Sequence, residues 1–165
     1  MFAAFEIGVN KLVSDDKSKE HPHPRVGVGV LVVRGDYFLL GKRCGLHMPG
    51  YYAAPGGHLE HGETFAACAA REVLEETNLS VTNVRFLMIG NYNFSGKHYV
   101  DIDMVVDCPV GDPVAAEPDK CSEWKWYHKD ELPAPLFVVT KRMIEAYVME
   151  IICDDIAINQ ILQQA

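Results

Sequence analysis

No stretch of this chain approaches the ~20 consecutive apolar residues that a membrane-spanning helix needs, so the sequence offers no candidate span. Basic residues are scarce: 15 Lys and Arg stand against 23 Asp and Glu, a formal net charge of −8. A chain of that balance repels a nucleic-acid backbone unless it carries a local basic patch. The only basic cluster in the expected core is Lys42 and Arg43, too little to follow a duplex but enough to hold one polyphosphate. The five cysteines are odd in number and widely spaced, without a C-x-x-C pair. That argues against a disulfide framework or a zinc site and points to reduced thiols. Met1 to Pro24 has no basic stretch ahead of its short apolar run, and Glu6 interrupts that run, so no secretory signal is expected. No internal repeat is evident. These absences predict a soluble, cytoplasmic protein without a nucleic-acid polymer or a membrane as partner.

What is present fits one domain. The 165 residues are 48 % hydrophobic and 23 % charged, ordinary values for a folded globular chain. Residues 1–24 read as an N-terminal arm or linker and 25–165 as the single domain. Within the arm, residues 2–12 fit either a short helix or an added strand. His21 and His23, flanked by prolines, read as solvated loop rather than a metal pair.

The pattern "RVGVGVLVVRGDYFLLGKR" predicts a hairpin turning at Arg34-Gly35-Asp36. Gly27 and Gly29 in its first strand suggest close approach of another backbone. A Gly- and Pro-rich loop follows, with a short extended piece at Tyr51–Ala54. A helix is expected over Phe65–Thr77, with Thr64 at its start and Asn78 as its stop. A second hairpin spans "NVRFLMIGNYNF" to "HYVDIDMVVDC", turning at Ser95-Gly96-Lys97. "SEWKWYHKDEL" reads as a strand, "LFVVTKRMIEAYVMEII" as an amphipathic helix, and the tail from Cys153 as a further helix. The order β-β-β-α-β-β-β-α predicts an α+β domain, a mixed sheet packed between helices. Trp124 and Trp126 alternate on one strand, share a face, and read as buried rather than base-stacking.

The first helix poses a problem. Phe65, Ala66, Ala69, Ala70, Val73 and Thr77 form its apolar stripe. Glu72, Glu75 and Glu76 crowd another face. Like charges at i, i+4 cost a few tenths of a kcal/mol, and the helix C-terminus disfavours anions by roughly 0.3–1 kcal/mol. Arg71 offsets part of this; a hard divalent cation would offset more, because it takes carboxylates, waters and substrate phosphates as ligands. An isolated E-x-x-E-E is most simply a solvated face, but this one is not isolated.

Gly57, Glu63, Arg71, Glu72, Glu75 and Glu76 stand at the spacing G-x5-E-x7-R-E-U-x-E-E-x-G-U, with Asn78 in place of the last glycine. At ~6 % usage each, these identities coincide by chance on the order of 10⁻⁸ per start position. The segment resembles the signature box of the Nudix hydrolases. Asn is the best substitute for a glycine in the left-handed conformation, so the departure does not count against activity.

The resemblance implies an α/β/α sandwich whose box is a loop-helix-loop, hydrolysing a nucleoside diphosphate linked to another moiety with Mg²⁺ or Mn²⁺. It implies Glu72 and Glu76 as main metal ligands, Glu75 as third ligand or base, and Arg71 as the orienting residue. Glu63 would stand behind them or bind a further metal through water. The Gly56-Gly57 turn would approach metal and phosphates, with the Gly57 carbonyl as ligand, and His58 could touch phosphate or metal.

Beyond the box, "LLGKR", "APGGHLEHGETF", "EPDKCSEWKWY" and "ELPAPLF" are similar to the MutT-like nucleoside triphosphate pyrophosphatases of the eukaryotic diphosphatase 15 type. That group implies a nucleoside triphosphate substrate, oxidised or modified ones included, and a homodimer. Ala54 occupies a base-pocket position that is often leucine there. Leu136 and Phe137 match a pocket-closing pair, or else a helix start docking in the core. Lys42 and Arg43 could hold the distal phosphates, or form an ordinary strand end. One of His98, Tyr99 and Asp101 could face substrate, and Glu117 or Glu123 could supply a further base. The alternatives are another nucleoside diphosphate-X substrate (ADP-ribose, NADH, a nucleotide sugar), a non-catalytic nucleotide-binding module, or a scaffold domain.

Overall fold

The computed structural model describes residues 23–44, 48–94, 97–108, 110–150 and 153–154. Residues 1–22, which hold most of the expected arm, lie outside these, as does the tail beyond 154.

Among the described residues, eight strands and two helices run β1 (Arg25–Arg34), β2 (Tyr37–Arg43), β3 (Tyr52–Ala53), β4 (Gly56–His58), α1 (Phe65–Thr77), β5 (Arg85–Phe94), β6 (Lys97–Asp107), β7 (Cys121–His128), α2 (Val138–Met149) and β8 (Cys153–Asp154). They build one mixed sheet, ordered β3-β2-β1-β6-β5-β8, with β4 on β1 and β7 on β2. The long strands and both helices fall where the sequence pattern puts them. Two differences concern short pieces. Gly56–His58, expected as loop, is a strand, because its backbone pairs with β1 at Gly27, Val28 and Gly29. The tail expected to be helical opens as the strand β8, parallel to β5.

The sheet is covered on both faces, so its central strands are nearly continuous apolar runs. Along β1, Val28, Val30 and Val32 face one core with Cys68, Ala69 and Val73 of α1. Leu31 and Val33 face the other, with Met143, Ile144 and Ala146 of α2. This is the α/β/α sandwich. Burying each of the Val, Leu, Ile and Met side chains among these contributes roughly 1.5–3 kcal/mol.

In α1, Thr64 caps the start by accepting from the Ala67 amide, and Asn78 ends it at φ 58°, in the left-handed region. The apolar stripe is rotated from the expected one. Cys68 is buried and Phe65 is 44 % exposed. Trp124 is buried in the α1-side core and Trp126 packs against it.

β1 divides its pairing. Its first half bonds β4 and its last two residues bond β2. The fork holds the start of α1 against one side of β4 and leaves a cavity on the other, under the start of α2.

Candidate active site

Arg71 is the hub of the box. Its Nε and Nη2 form a two-point fork with Glu63, at 2.9 and 3.0 Å. Nη1 donates to Glu72 at 2.7 Å and to Glu75 at 3.1 Å, and Nη2 reaches the His58 carbonyl at 3.2 Å. One guanidinium therefore ties three carboxylates to the end of β4. The hydrogen bond from Arg71 draws the Glu63 carboxyl down to about 2.

Glu76 lies outside that fork. Its Oε2 accepts a long bond, 3.4 Å, from the Gly56 amide. Burial first, then the Glu72 charge, pushes its carboxyl up to about 7. Glu117 adds to the push, because residues 110–120 fold over the end of α1. Glu123 is instead paired with Lys125 at 2.6 Å on β7.

The glycines of β4 are spaces. A Cβ on Gly57 would overlap the Glu72 carboxylate, and one on Gly56 would collide with the Val28 carbonyl and the Gly29 backbone. The ladder bonds Val30 N–H to Pro55 O and Leu59 N–H to Val26 O flank the Val28–Gly57 pair. By the alternation of an antiparallel ladder, Gly57 turns its own N–H and C=O toward β1. Gly56 sends its N–H out, to Glu76. The carbonyl expected from Gly57 is thus committed to the sheet, and the one free to meet an ion belongs to Gly56.

Among the described residues no three His, Cys, Asp or Glu side chains converge as a metal cluster. A hard cation does not need three: Mg²⁺ is commonly held by one or two carboxylates with waters and phosphates completing the shell. Glu72, Glu76 and a main-chain carbonyl are an all-oxygen set, and the like-charge pressure on Glu76 is what a cation would relieve. The residues fit a divalent ion.

Beside the box lies a cavity of about 290 Å³, lined by β1, β4, β6 and the start of α2. Arg43, Ala54, Gly56, Gly57, His58 and Phe137 line it, as do Tyr99 and Asp101. The Arg43 guanidinium lies 5.0 Å from the Phe137 ring, and the β2–β7 register shifts between Gly41 and Arg43, with the extra residue on β7. The Arg43 pKa is lowered by burial and held up by Glu76. Lys42 and Leu136 do not line the cavity. Lys42 lies over the Tyr52 ring, and Leu136 bridges Tyr52 and packs in the α2-side core. Each expected pair therefore divides, Arg43 and Phe137 toward the cavity, Lys42 and Leu136 away from it. His98 bonds Asn91 at 2.6 Å on the exposed sheet surface.

Four groups near the cavity were not marked by the sequence pattern. Asp103 is fully buried, and among the described residues neither its carboxyl oxygens nor the buried Tyr92 hydroxyl has a hydrogen-bond partner. Thr140 accepts from the Ala54 amide at 2.9 Å, and Met143 lines the cavity. A readable signal existed for Asp103: "VDIDMVV" places two acids where an apolar strand continues, opposite Gly27 and Gly29.

The NUDIX domain profile matches residues 23–147. The NAD-capped RNA hydrolase NudC of Edwardsiella ictaluri is 32 % identical over 126 residues, 74 % of this chain and 48 % of that protein. The NudC of Pseudomonas aeruginosa is 32 % identical over 133 residues, 78 % of this chain and 46 % of that one. The chain spans about half the length of these curated relatives. Among solved structures, a MutT NUDIX hydrolase from Burkholderia pseudomallei superposes with a TM-score of 0.71 at 29 % identity, over 75 % of this chain and 98 % of that one. The NUDIX domain of NrtR from Shewanella oneidensis has a TM-score of 0.71 at 17 % identity, over 82 % of this chain and 92 % of that one, a likeness of fold.

Proposed function

The chain belongs to the Nudix hydrolase family, and from that premise we propose that it cleaves a nucleoside triphosphate, unmodified or oxidised, to the monophosphate and pyrophosphate with Mg²⁺ or Mn²⁺. One observation supports this above the others: the box carboxylates, held by Arg71, lie directly beside a cavity whose wall carries Arg43.

When bound, the divalent ion neutralises phosphate oxygens and acidifies bound water. The chain's own residues do the rest. Glu72, Glu76 and the Gly56 carbonyl would hold the ion, and Arg71 fixes the direction of Glu72 and Glu75. Glu75, whose side chain is 54 % exposed, is the acid within reach of bulk water and takes the proton of the attacking water. Arg43 holds the distal phosphates, and Phe137 and Ala54 flank the nucleoside. Water adds across one P–O–P bond, its hydroxyl to phosphorus and its proton to the departing phosphate. The reading includes a cytoplasmic homodimer, on resemblance alone, which light scattering would check for the dimer.

A second reading is a dinucleotide substrate such as NAD(H), favoured by the NudC relatives, which are named for NAD-capped RNA. Chromatography of products separates the two. The protein is incubated with nucleoside triphosphates, oxidised guanine triphosphates, ADP-ribose and NADH, with and without Mg²⁺, beside Glu76→Gln. Metal-dependent monophosphate and pyrophosphate, lost in the variant, is the expected result. Turnover of NADH alone would replace it with the dinucleotide reading. Turnover of none would reject both.

A further inference from the structure

The floor of the cavity is built around acids. Asp101 and Asp103 lie two apart on β6, so both point to the α2 face of the sheet. Their parallel neighbours on β1 are Gly27 and Gly29, and Asp101 faces Gly90 on β5. A Cβ on Gly27 would overlap the Asp101 carboxylate, and one on Gly29 the Asp103 carboxylate. The Tyr92 ring folds over Gly90, where a Cβ would strike its hydroxyl. Glycine is poor in a strand interior, for lack of packing and for entropy. Three of them surround these two acids and the phenol, so the cleared space belongs to the oxygens.

Both Asp103 oxygens and the Tyr92 hydroxyl are buried without a hydrogen-bond partner among the described residues. Asp101 and Tyr92 line the cavity. Burial alone pushes Asp101 up to about 6, and burial with the Asp101 charge pushes Asp103 well above the usual carboxylate range. The inner acid is thus biased toward its protonated form, and the outer one, which lines the cavity, ionises first. A buried acceptor left without a donor, as at Asp103, is destabilising until a donor reaches it.

We propose that Asp101, with Asp103 and Tyr92 behind it, is the base-reading group of this site, and that it selects a nucleobase with two adjacent N–H donors, the guanine edge. The inference rests on the nucleotide reading above and names its base. A carboxylate accepts two parallel hydrogen bonds. Guanine offers N1–H beside its 2-amino group. Adenine and cytosine each set a ring-nitrogen acceptor beside their amino group, which opposes one carboxylate oxygen. Hypoxanthine keeps N1–H and lacks the second donor. Ala54, Phe137, Val139 and Met143 supply apolar walls for the ring.

The test uses monophosphates, so it needs no turnover. Calorimetric titration of the whole chain with GMP, IMP, AMP and CMP should rank GMP first. IMP should be weaker on the order of 10-fold and AMP weaker by 10- to 100-fold, the range of one bidentate pair. Asp101→Asn should collapse the GMP-to-AMP ratio toward one, and Asp103→Asn should reduce it. Equal affinity for GMP and IMP, a preference for AMP or CMP, or no binding of any of the four would overturn the inference. If GMP leads but no triphosphate is cleaved, base reading stands and the proposed reaction falls. If triphosphates are cleaved at equal kcat/KM whatever the base, the reaction stands and base reading falls.

Discussion

Arg71 grips Glu63 at two points, Nε to Oε1 at 2.9 Å and Nη2 to Oε2 at 3.0 Å, and with its third nitrogen holds Glu72 at 2.7 Å. The carboxylate face of α1 is thus anchored to the loop that precedes it. Lysine cannot reproduce such a fork. Arg71→Lys should lower metal-dependent kcat/KM by roughly 10–100-fold, the usual cost of removing a group that orients metal ligands. Glu63→Gln should lose less. Steady-state kinetics on the double variant should show no further loss beyond Arg71→Lys. Fully additive losses would mean the two residues act separately.

The two glycines of β4 should behave differently when replaced. At Gly57 a Cβ meets the end of the Glu72 side chain, which can swing aside. Gly57→Ala should therefore leave the melting temperature within a few degrees, a change below about 1 kcal/mol, while metal-dependent turnover falls about 10-fold or more. At Gly56 the Cβ meets backbone, the Val28 carbonyl and the Gly29 Cα. Gly56→Ala should cost about 1–3 kcal/mol of stability. Denaturant unfolding of both variants beside an activity assay reads the contrast.

The long elements were legible because each carries its own period or cap: the Val-rich β1, the Thr64 and Asn78 ends of α1, the two hairpins. The box was legible because its spacing is local to one turn and one helix. The cavity was less so, because it joins residues from β1, β4, β6 and α2 that are distant in sequence. Side-by-side pairs misled for the same reason. Lys42 and Arg43, or Leu136 and Phe137, look alike in a sequence, but successive side chains of an extended segment point to opposite sides, so only one of each pair lines the cavity. β4 was hidden because Gly-Gly carries no strand propensity; only its pairing with β1 makes it a strand.

Glu76 should make metal binding depend on pH. Its carboxyl is pushed up to about 7 in the metal-free protein, chiefly by burial and by Glu72. An ion must displace that proton, so apparent affinity falls as pH drops below 7 and levels off above it. Mn²⁺ titrations between pH 5.5 and 8.5 should show about one proton released near pH 6 and none near 8.5. Glu76→Gln should bind more weakly and lose that slope. A slope unchanged in the variant would assign the proton to another group.

Asp101 should set part of the stability profile, with a sign opposite to that of a salt-bridged carboxylate. Its folded value is raised to about 6 by burial, against about 3.9 in an unfolded chain. Between those values the native state binds more protons than the unfolded one, so stability falls as pH rises. The favourable contribution is complete below about pH 3.9 and is lost once pH passes 6. A shift of that size corresponds to roughly 1–3 kcal/mol. Asparagine carries no charge and keeps the shape, so Asp101→Asn should be more stable than the parent at pH 8. The gap should close as pH falls from 7 to 4. Other groups titrate over the same range, so the quantity to follow is the difference between the two proteins in urea unfolding. A gap that does not change with pH would place the Asp101 charge in water, and the acid floor of the cavity would lose its electrostatic basis.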